Sequence, residues 1–571
     1  MAARGRAPGP QPLRFVPPLT LILFLGPVAA GLIATIVPSF GLLPALGGEH
    51  LTLAAWRELL AFPGIGRSVR LTLVSGLTAT AISFAIVVGF CAACHGTRAF
   101  TLMRRMLSPL LSVPHAAVAL GLLFLLSPSG WAIRLVSPWA TGWDLPPDLP
   151  LAPDPWGLVL IAGLVVKEVP FLFLMTVAAL GQVPADRTLA IARSLGYGRM
   201  LAWIKTVLPL VYPQIRLPLF AVLAFSLSVV DVALILAPAT PPPLAVRVLG
   251  WFRDPDLSRH FLASAGACLQ LGIAGGAIGL WLVLERLAAA LGRRWISAGG
   301  RGTGAVSAGP FFTALVAGLI SLGTAAIAGM ALWSFARRWR YPDALPSQWT
   351  MNNWYRQADA LAWPAWTTVV VGVAAALIAL GLVLGCLEAE KRYGIKPSNR
   401  GLWLLYTPLL VPQVGFLLGV KVLLVLGGLD GGWVALIWTH LLFVLPYIFL
   451  SLSDPFRKLD DRYARTALCL GASPARVFWR VRAPMLLRPI LIAAAVGFAV
   501  SVGQYLPTIF GGGGRFVTLT TEAVSLAGGA DRRVIGVYAL LQAVLPLIAF
   551  VLAMAVPNWI YRERGALRHA T

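Results

Sequence analysis

Long apolar runs alternate with short polar segments along the whole chain. A helix needs about 20 apolar residues to cross the hydrocarbon core of a bilayer, and twelve runs approach that length. They lie near residues 19–37, 69–92, 107–126, 156–180, 217–238, 261–284, 312–335, 366–387, 402–426, 432–452, 490–506 and 534–559. The pattern predicts an all-α membrane protein with about twelve transmembrane helices.

Two of the polar segments repeat each other at a fixed spacing. Gly196 and Gly471 are 275 positions apart (471 − 196), and Pro209 and Pro484 share that offset. So do the pairs Asp186/Asp461, Arg187/Arg462, Ala192/Ala467, Leu195/Leu470, Trp203/Phe478, Lys205/Arg480 and Ile215/Ile490. Nine matched positions without a gap indicate an internal duplication.

The duplication divides the chain into two halves of six spans each. We assign residues 1–287 to the first half, 288–310 to a Gly/Ser/Arg-rich linker and 311–571 to the second half. The repeated segments occupy 184–212 and 456–488, after the fourth span of each half. Because each half has an even number of spans, the repeat is expected to be parallel, with its axis along the membrane normal.

The composition supports a lipid environment, and the charges predict the orientation. Of the 571 residues, 58% are hydrophobic and 12% are charged, with a mean hydropathy of +0.80, whereas about a quarter of the residues of a soluble domain are charged. A net charge of +24 would suggest nucleic acid in a soluble protein. Here Lys and Arg are in roughly two-fold excess in the loops on the side that carries the repeats. That bias predicts a cytoplasmic location for these loops, the linker and both termini, and no nucleic-acid partner.

Each repeated segment is predicted to form two short helices joined by a turn at its Gly. Pro209 and Pro484 are expected to mark the start of the fifth membrane helix of each half, because a Pro is tolerated in the first turn. A single basic segment of this kind would be interpreted as an ordinary cytoplasmic loop near lipid headgroups. The conserved spacing of two copies favours a docking surface instead.

These residues resemble a known family motif. The pattern carried by Ala192, Gly196, Leu208 and Pro209, and by Ala467, Gly471 and Pro484 in the second copy, is similar to the EAA loop of ABC importer permeases. The family's Glu is replaced by Ala190 and Arg465, and its Leu by Ala483 in the second copy. The layout resembles fused two-half permeases of the iron(III) and thiamine type. The segments 341–346, 504–508 and 520–523 resemble those of Ynj-type permeases.

The resemblance implies a fold, partners and a location. The fold is that of type I ABC importer permeases, and the two loops are coupling helices that seat in grooves of a cytoplasmic ABC ATPase, which we expect to be a homodimer. ATP and Mg then lie on that partner, a periplasmic binding protein delivers the solute, and the chain lies in a bacterial inner membrane. The chain has no G-x-x-x-x-G-K-[ST] phosphate loop. We therefore expect no ATPase activity, cofactor, catalytic residue or metal site in this chain.

The candidate site residues fall into two groups. The ATPase-coupling loops comprise Asp186, Arg187, Ala192, Gly196, Trp203, Lys205 and Pro209, with Asp461, Arg462, Ala467, Gly471, Phe478, Arg480 and Pro484. Arg476 and Arg482 have no counterpart cation in the first copy and are expected to be dispensable.

Asp231 and Gln504 are the candidates for the translocation pathway. They align when the halves are offset by 273 (504 − 231), and ionisable groups inside spans are costly enough to suggest function. An interhelical hydrogen bond remains an equal alternative for them. Lys167 and Glu168 are adjacent in the fourth span and are expected to neutralise each other.

Two other functions remain open at this stage. A secondary transporter of the major-facilitator kind is also built from two parallel six-span halves, but it would work without a partner and would not need duplicated docking loops. A membrane-embedded enzyme is disfavoured, because no catalytic constellation is evident.

Overall fold

The structure is a computed structural model that describes residues 12–302, 308–394 and 399–562. Ten of its helices are long and apolar enough to cross a membrane, and two bent helix pairs bring the number to twelve. Each predicted span overlaps one of these helices or pairs. The prediction of an all-α membrane protein with about twelve membrane helices is confirmed.

The first half contains thirteen α-helices within the described residues. They are α1 (Val16–Ser39), α2 (Ala54–Ala61), α3 (Ile65–Cys94), α4 (Arg98–Ser112), α5 (His115–Leu126), α6 (Trp131–Val136), α7 (Leu158–Leu180), α8 (Ala185–Ser194), α9 (Arg199–Ala202), α10 (Leu208–Ser228), α11 (Asp231–Leu236), α12 (Leu244–Phe252) and α13 (Arg259–Ser297).

The second half contains the remaining helices and one small antiparallel sheet. The helices are α14 (Gly309–Phe335), α15 (Asn352–Tyr393), α16 (Asn399–Leu410), α17 (Gln413–Leu426), α18 (Trp433–Lys458), α19 (Asp461–Cys469), α20 (Pro474–Val477), α21 (Ala483–Met485), α22 (Leu487–Val502), α23 (Leu506–Gly512), α24 (Leu519–Leu526) and α25 (Arg532–Ile560). Strands β1 (Ala336–Arg338) and β2 (Gln348–Trp349) pair with each other between α14 and α15.

The first span of each half packs on the third span of the other half. Helix α1 lies against α17, and α14 lies against α5. Glycines permit these close approaches: a Cβ on Gly31 would lie 2.4 Å from the Phe416 carbonyl oxygen, and one on Gly121 would lie 2.5 Å from that of Ala326. Since lipid gives little hydrophobic drive for association, such close backbone packing holds membrane helices together.

The predicted third and ninth spans are not continuous helices. The third, 107–126, is divided between α4 and α5, and the ninth, 402–426, is the pair α16 and α17, bent by 88°. Pro114 and Pro412 are the N-caps of α5 and α17. A proline has no N–H for the preceding turn, and it disfavours helical geometry in the residue before it, so each helix ends there and a new one begins.

The fifth span of each half is also broken, and the sequence pattern did not predict the break. Helix α10 ends at Ser228 and α11 begins at Asp231, whereas α22 ends at Val502 and α23 begins at Leu506. The starts of α11 and α23 are 275 positions apart (506 − 231), the offset of the repeated loops. The break is therefore a feature of both copies.

Buried side chains satisfy the carbonyl groups that these breaks release. The Gln270 amide donates to the carbonyl of Leu227 over 3.0 Å. In the second half the Thr520 hydroxyl donates to the carbonyl of Val502, and the Gln542 amide donates to that hydroxyl over 2.7 Å. Leu227 and Val502 are 275 positions apart, so equivalent carbonyls are satisfied in both halves, as buried polar groups must be.

A second side-chain contact is also duplicated. The backbone N–H of Leu244, at the start of α12, donates to the hydroxyl of Thr72 over 3.0 Å. The N–H of Leu519, at the start of α24, donates to Thr368 over 2.9 Å. Both threonines belong to the second span of their half, so the second span holds the segment that follows the broken fifth span.

Candidate functional site

Each repeated segment folds as two short helices around a glycine turn, as predicted. Gly196 follows α8 with φ +83°, and Gly471 follows α19 with φ +82°. The N–H of Tyr197 donates to the Ala192 carbonyl over 3.2 Å, and that of Ala472 donates to the Ala467 carbonyl over 3.0 Å. This is the hydrogen-bond pattern of a helix that ends in a left-handed residue, usually Gly. It explains why the glycine recurs at one register.

The duplication extends through the segment that follows the turn. Five-residue π-helical segments occupy Trp203–Val207 and Phe478–Arg482, again 275 positions apart. Pro209 then lies in the first turn of α10. The prediction that it marks the start of the fifth membrane helix is nevertheless wrong, because α9, the π-helical segment and α10 form one continuous helix from Arg199 to Ser228.

The matching prediction for Pro484 is wrong. Pro484 lies in the short helix α21, and the fifth membrane helix of the second half, α22, begins at Leu487 after a 77° bend. Pro489 supplies the reason, because it has no N–H to donate to the Met485 carbonyl. It is tolerated in the first turn of a new helix. The first half has Gln214 at that register, and α10 continues there through Pro213 and Pro218 without a break.

The repeated aspartates contact the ends of the second spans. Asp186 Oδ1 lies 3.0 Å from His95 Nε2, directly after α3, and Asp461 Oδ1 lies 2.6 Å from Lys391 Nζ, in the last turn of α15. Both carboxylates are largely solvent-exposed, and such a pair contributes at most about 1 kcal/mol. We infer that these contacts orient the loops.

Arg482 makes a contact within the permease that the sequence did not predict. Its Nη1 lies 2.6 Å from Glu388 Oε2, and its side chain is only 13% exposed. Glu388 is buried and also pairs with Arg392 at 3.2 Å. Arg482 therefore anchors the second loop to α15, and its replacement would leave a buried carboxylate with one partner fewer.

The aromatic and cationic residues of the first loop point inward. Trp203 is fully buried, and Lys205 is 6% exposed. Lys205 Nζ donates to the carbonyls of Gly300 (2.8 Å) and Trp295 (3.3 Å). In the second loop, by contrast, Phe478 is half-buried and Arg480 is exposed. The predicted pairs thus share a register but not an environment.

The exposed surface common to both loops is smaller than the predicted set. Arg187 and Arg462 are exposed. Leu195 and Leu470, which directly precede the turn glycines, are 58% and 83% exposed. The predicted site left out the leucines although they are matched in sequence, and an apolar residue at the tip of a polar loop was the available signal. Ala192 is buried and Ala467 half-buried, so these alanines pack beneath the loops.

The pair of Asp460 and Arg462 adds a charge contact at the start of α19. The Asp460 carboxylate accepts from the side chain of Arg462 over 2.8 Å and from its backbone N–H over 2.9 Å. These hydrogen bonds lower the pKa of Asp460. Both groups are exposed, and the guanidinium remains at the surface.

Asp231 and Gln504 are both buried and both lie at the fifth-span breaks. Asp231 begins α11, and Gln504 lies between α22 and α23. Because α11 and α23 share the 275 offset, Asp231 corresponds to Leu506, and the predicted 273 register is wrong. The two residues occupy neighbouring positions around equivalent breaks.

Further polar groups surround Asp231. His115 of α5 and Tyr505 of the second half lie near its carboxylate. His115 Nε2 lies 3.4 Å from Glu168 Oε1, and the buried Gln504 Oε1 has no hydrogen-bond partner within the described residues.

Lys167 makes contacts that were not predicted. It donates to the carbonyls of Leu110 (3.0 Å), Leu111 (3.3 Å) and Val113 (2.5 Å) at the end of α4. It therefore satisfies carbonyls at the α4–α5 break. Within the described residues, no group of three or more His, Cys, Asp or Glu side chains is placed to hold a metal ion.

Comparison with known proteins gives consistent relatives. Residues 378–562 match the family model described as "Binding-protein-dependent transport system inner membrane component". The chain is 33% identical to the inner membrane ABC transporter permease protein YnjC of Escherichia coli (strain K12), over 98% of this chain and 99% of that protein.

Two shorter relatives each match less than half of the chain. The putative 2-aminoethylphosphonate transport system permease protein PhnV of Salmonella choleraesuis is 27% identical over 41% of this chain and 89% of its own length. The spermidine/putrescine transport system permease protein PotC of Haemophilus influenzae is 23% identical over 36% of this chain and 80% of its own. The full-length match and these half-length matches agree with the duplicated fold, and the chain belongs to the inner-membrane permeases of binding-protein-dependent ABC importers, whose ATPase activity resides on separate subunits.

Proposed function

We propose that the two repeated loops dock this permease onto a homodimeric ABC ATPase in the cytoplasm. The main support is that both loops have the same backbone conformation and expose matched residues. Each exposes an arginine (Arg187 or Arg462) and a leucine (Leu195 or Leu470) beside a left-handed glycine turn. Two identical sockets require such shared features from two different loops.

Within each loop, some side chains are available to the partner and others hold the loop in place. Exposed arginine and leucine side chains are available to a partner, whereas Trp203 and Lys205 are enclosed by the permease itself. The aspartates face the ends of the second spans. ATP and Mg are bound by the partner, and its cycling is transmitted through the loops into α10 and α22, to which they connect.

The orientation in this proposal rests on the distribution of charge. The roughly two-fold excess of Lys and Arg on the loop-bearing side favours the cytoplasm for that side and for both termini. A periplasmic binding protein would then deliver the solute at the opposite end, in a bacterial inner membrane.

We further place the translocation pathway between the broken fifth spans. Asp231 and Gln504 lie at the two breaks, and His115, which lies near Asp231, is 3.4 Å from Glu168 of α7. Broken helices and buried ionisable groups near the middle of a bundle are the usual construction of solute pathways in transporters. The arrangement brings polar groups of both halves to one interface.

Co-purification tests the docking. We expect the chain to purify with the ATPase subunit of its transport system and to show no nucleotide hydrolysis alone. Arg187→Ala and Arg462→Ala should each reduce the amount of bound ATPase, whereas Arg476→Ala, an exposed second-loop arginine outside the shared set, should not. ATP hydrolysis by the pure chain, or equal retention in all three variants, would contradict the proposal.

A further inference from the structure

The segment that joins the halves packs on the first loop, although its composition had suggested a flexible linker. Helix α13 continues to Ser297, so residues 288–297 of the predicted linker are helical. Residues 298–302 then lie against the first loop, and residues 303–307 are outside the described part of the chain. The term "linker strap" is used below for residues 298–302.

Lys205 contacts both the strap, at Gly300, and the end of α13, at Trp295. Two of the three ammonium protons are accepted by the carbonyls of Gly300 and Trp295. The ammonium group also lies 4.5 Å from the centroid of the Trp295 ring and 5.4 Å from that of Tyr197. Desolvated contacts of a cation with an aromatic face are favourable. Lys205 is therefore engaged with the strap.

Backbone contacts hold the strap at the turn. The N–H of Gly198 donates to the carbonyl of Arg301 over 2.9 Å. A Cβ on Gly198 would lie 2.6 Å from the Gly302 carbonyl oxygen, so only glycine permits this approach. The side chain of Arg301 reaches the turn itself, 3.7 Å from where a Cβ of Gly196 would be.

The two copies of the loop differ where the strap lies. The positions that contact the strap, Gly198, Leu201 and Lys205, correspond to Ser473, Arg476 and Arg480, and Tyr197, whose ring faces Lys205, corresponds to Ala472. The second copy has Ala472 in place of the Tyr197 ring, and Ser473 in place of the glycine that the close approach of the strap requires. Its turn is open, since a Cβ on Gly471 would meet nothing within 4 Å. The strap is therefore specific to the first loop.

We propose that the linker strap is part of the ATPase-docking surface, and that Arg301 supplies to the first socket the exposed cation that Arg480 supplies to the second. The inference rests on the docking proposed above. Lys205 holds the register position of Arg480 but is buried beneath the strap, and Arg301 is exposed beside the turn. The partner surface is the socket of the ATPase, with acidic side chains at its edge.

Limited proteolysis tests the attachment of the strap without any partner. Trypsin should cut after Arg301 faster in Lys205→Met than in the wild-type chain in membranes, because cleavage requires local release of the segment. Arg480→Met is the matched control and should leave that rate unchanged. A wild-type cleavage rate in Lys205→Met would overturn the packing role of Lys205.

Binding of the purified ATPase subunit tests the docking role of Arg301. Arg301→Ala and Arg480→Ala should each weaken binding to the permease in membranes by about two- to five-fold, the range of an exposed ion pair. Arg476→Ala should bind as the wild type does. If Arg480→Ala and Arg462→Ala weaken binding but Arg301→Ala does not, the strap inference fails and the docking proposal stands. If none of the three weakens binding, the docking proposal fails as well.

Discussion

The glycine at each turn is the residue whose identity is most strongly constrained by the backbone conformation. Gly196 and Gly471 adopt φ near +83°, where side chains other than glycine are disfavoured. Their sequence register predicted the turn, because a glycine that interrupts a helical pattern marks a helix end. The environment of the side chains that follow could not be predicted in the same way. Lys205 and Arg480 are chemically similar, but one is buried beneath a segment that is distant in sequence.

Valine at either turn should impair coupling. Gly196→Val and Gly471→Val add a left-handed strain of about 1–2 kcal/mol, and we expect inserted protein with reduced ATPase binding and solute uptake. Asparagine tolerates this conformation better, so Gly471→Asn should lose much less. Uptake and ATPase retention measured in membranes decide the point. Equal activity of the Val and Asn variants at wild-type level would show that the turn geometry is not required.

Replacement of Arg482 should destabilise the second loop. Arg482→Ala removes a 2.6 Å ion pair from the buried Glu388, and loss of a partner for a buried acceptor costs about 1–3 kcal/mol. Arg392 still pairs with Glu388, which favours the lower part of that range. Thermal unfolding in detergent should show a lower Tm for Arg482→Ala than for Arg476→Ala. Identical Tm values would show that Arg482 is dispensable for the stability of the second loop.

At the scale of elements, the fifth spans show that hydropathy predicts where a span lies but not where its helix is broken. Apolar runs identified the spans, but not the breaks after Ser228 and Val502. The breaks depend on Gln270 and Gln542, whose amides reach the freed carbonyls directly or through Thr520. Such contacts join residues that are far apart in the chain. The prolines at 114 and 412 were visible in the sequence and could have located the third-span and ninth-span breaks.

Substitutions at the breaks should separate pathway residues from packing residues. Asp231→Ala and Gln504→Ala are expected to lower solute uptake by about tenfold, or roughly 1.4 kcal/mol, with ATPase retention unchanged. Gln270→Leu should instead lower the yield of folded protein, because it leaves the Leu227 carbonyl unsatisfied. Uptake and yield are measured on the same membranes. Wild-type uptake in both Asp231→Ala and Gln504→Ala would assign these residues to packing.

At the scale of the whole molecule, the chain is a duplicated helical bundle. The first span of each half packs on the other half, and the linker strap contacts the first loop but not the second. The sequence predicted the number of spans and the register of the repeat, because both depend on local patterns. It did not predict the exchange of first spans, in which α1 packs on α17 and α14 on α5. Nor did it predict the linker strap. Each of these depends on contacts between segments that are far apart in the chain, and no local sequence pattern signals such contacts.

Cysteine cross-linking tests the two-loop docking most directly. In a Cys469→Ser background, which removes the exposed native cysteine beside the second turn, Leu195→Cys and Leu470→Cys place one thiol at each loop tip. We expect both to cross-link to the ATPase subunit in membranes, while Trp139→Cys, exposed in the segment between α6 and α7, does not. Cross-linking from one loop only, or from neither in properly inserted protein, would contradict docking through two equivalent loops.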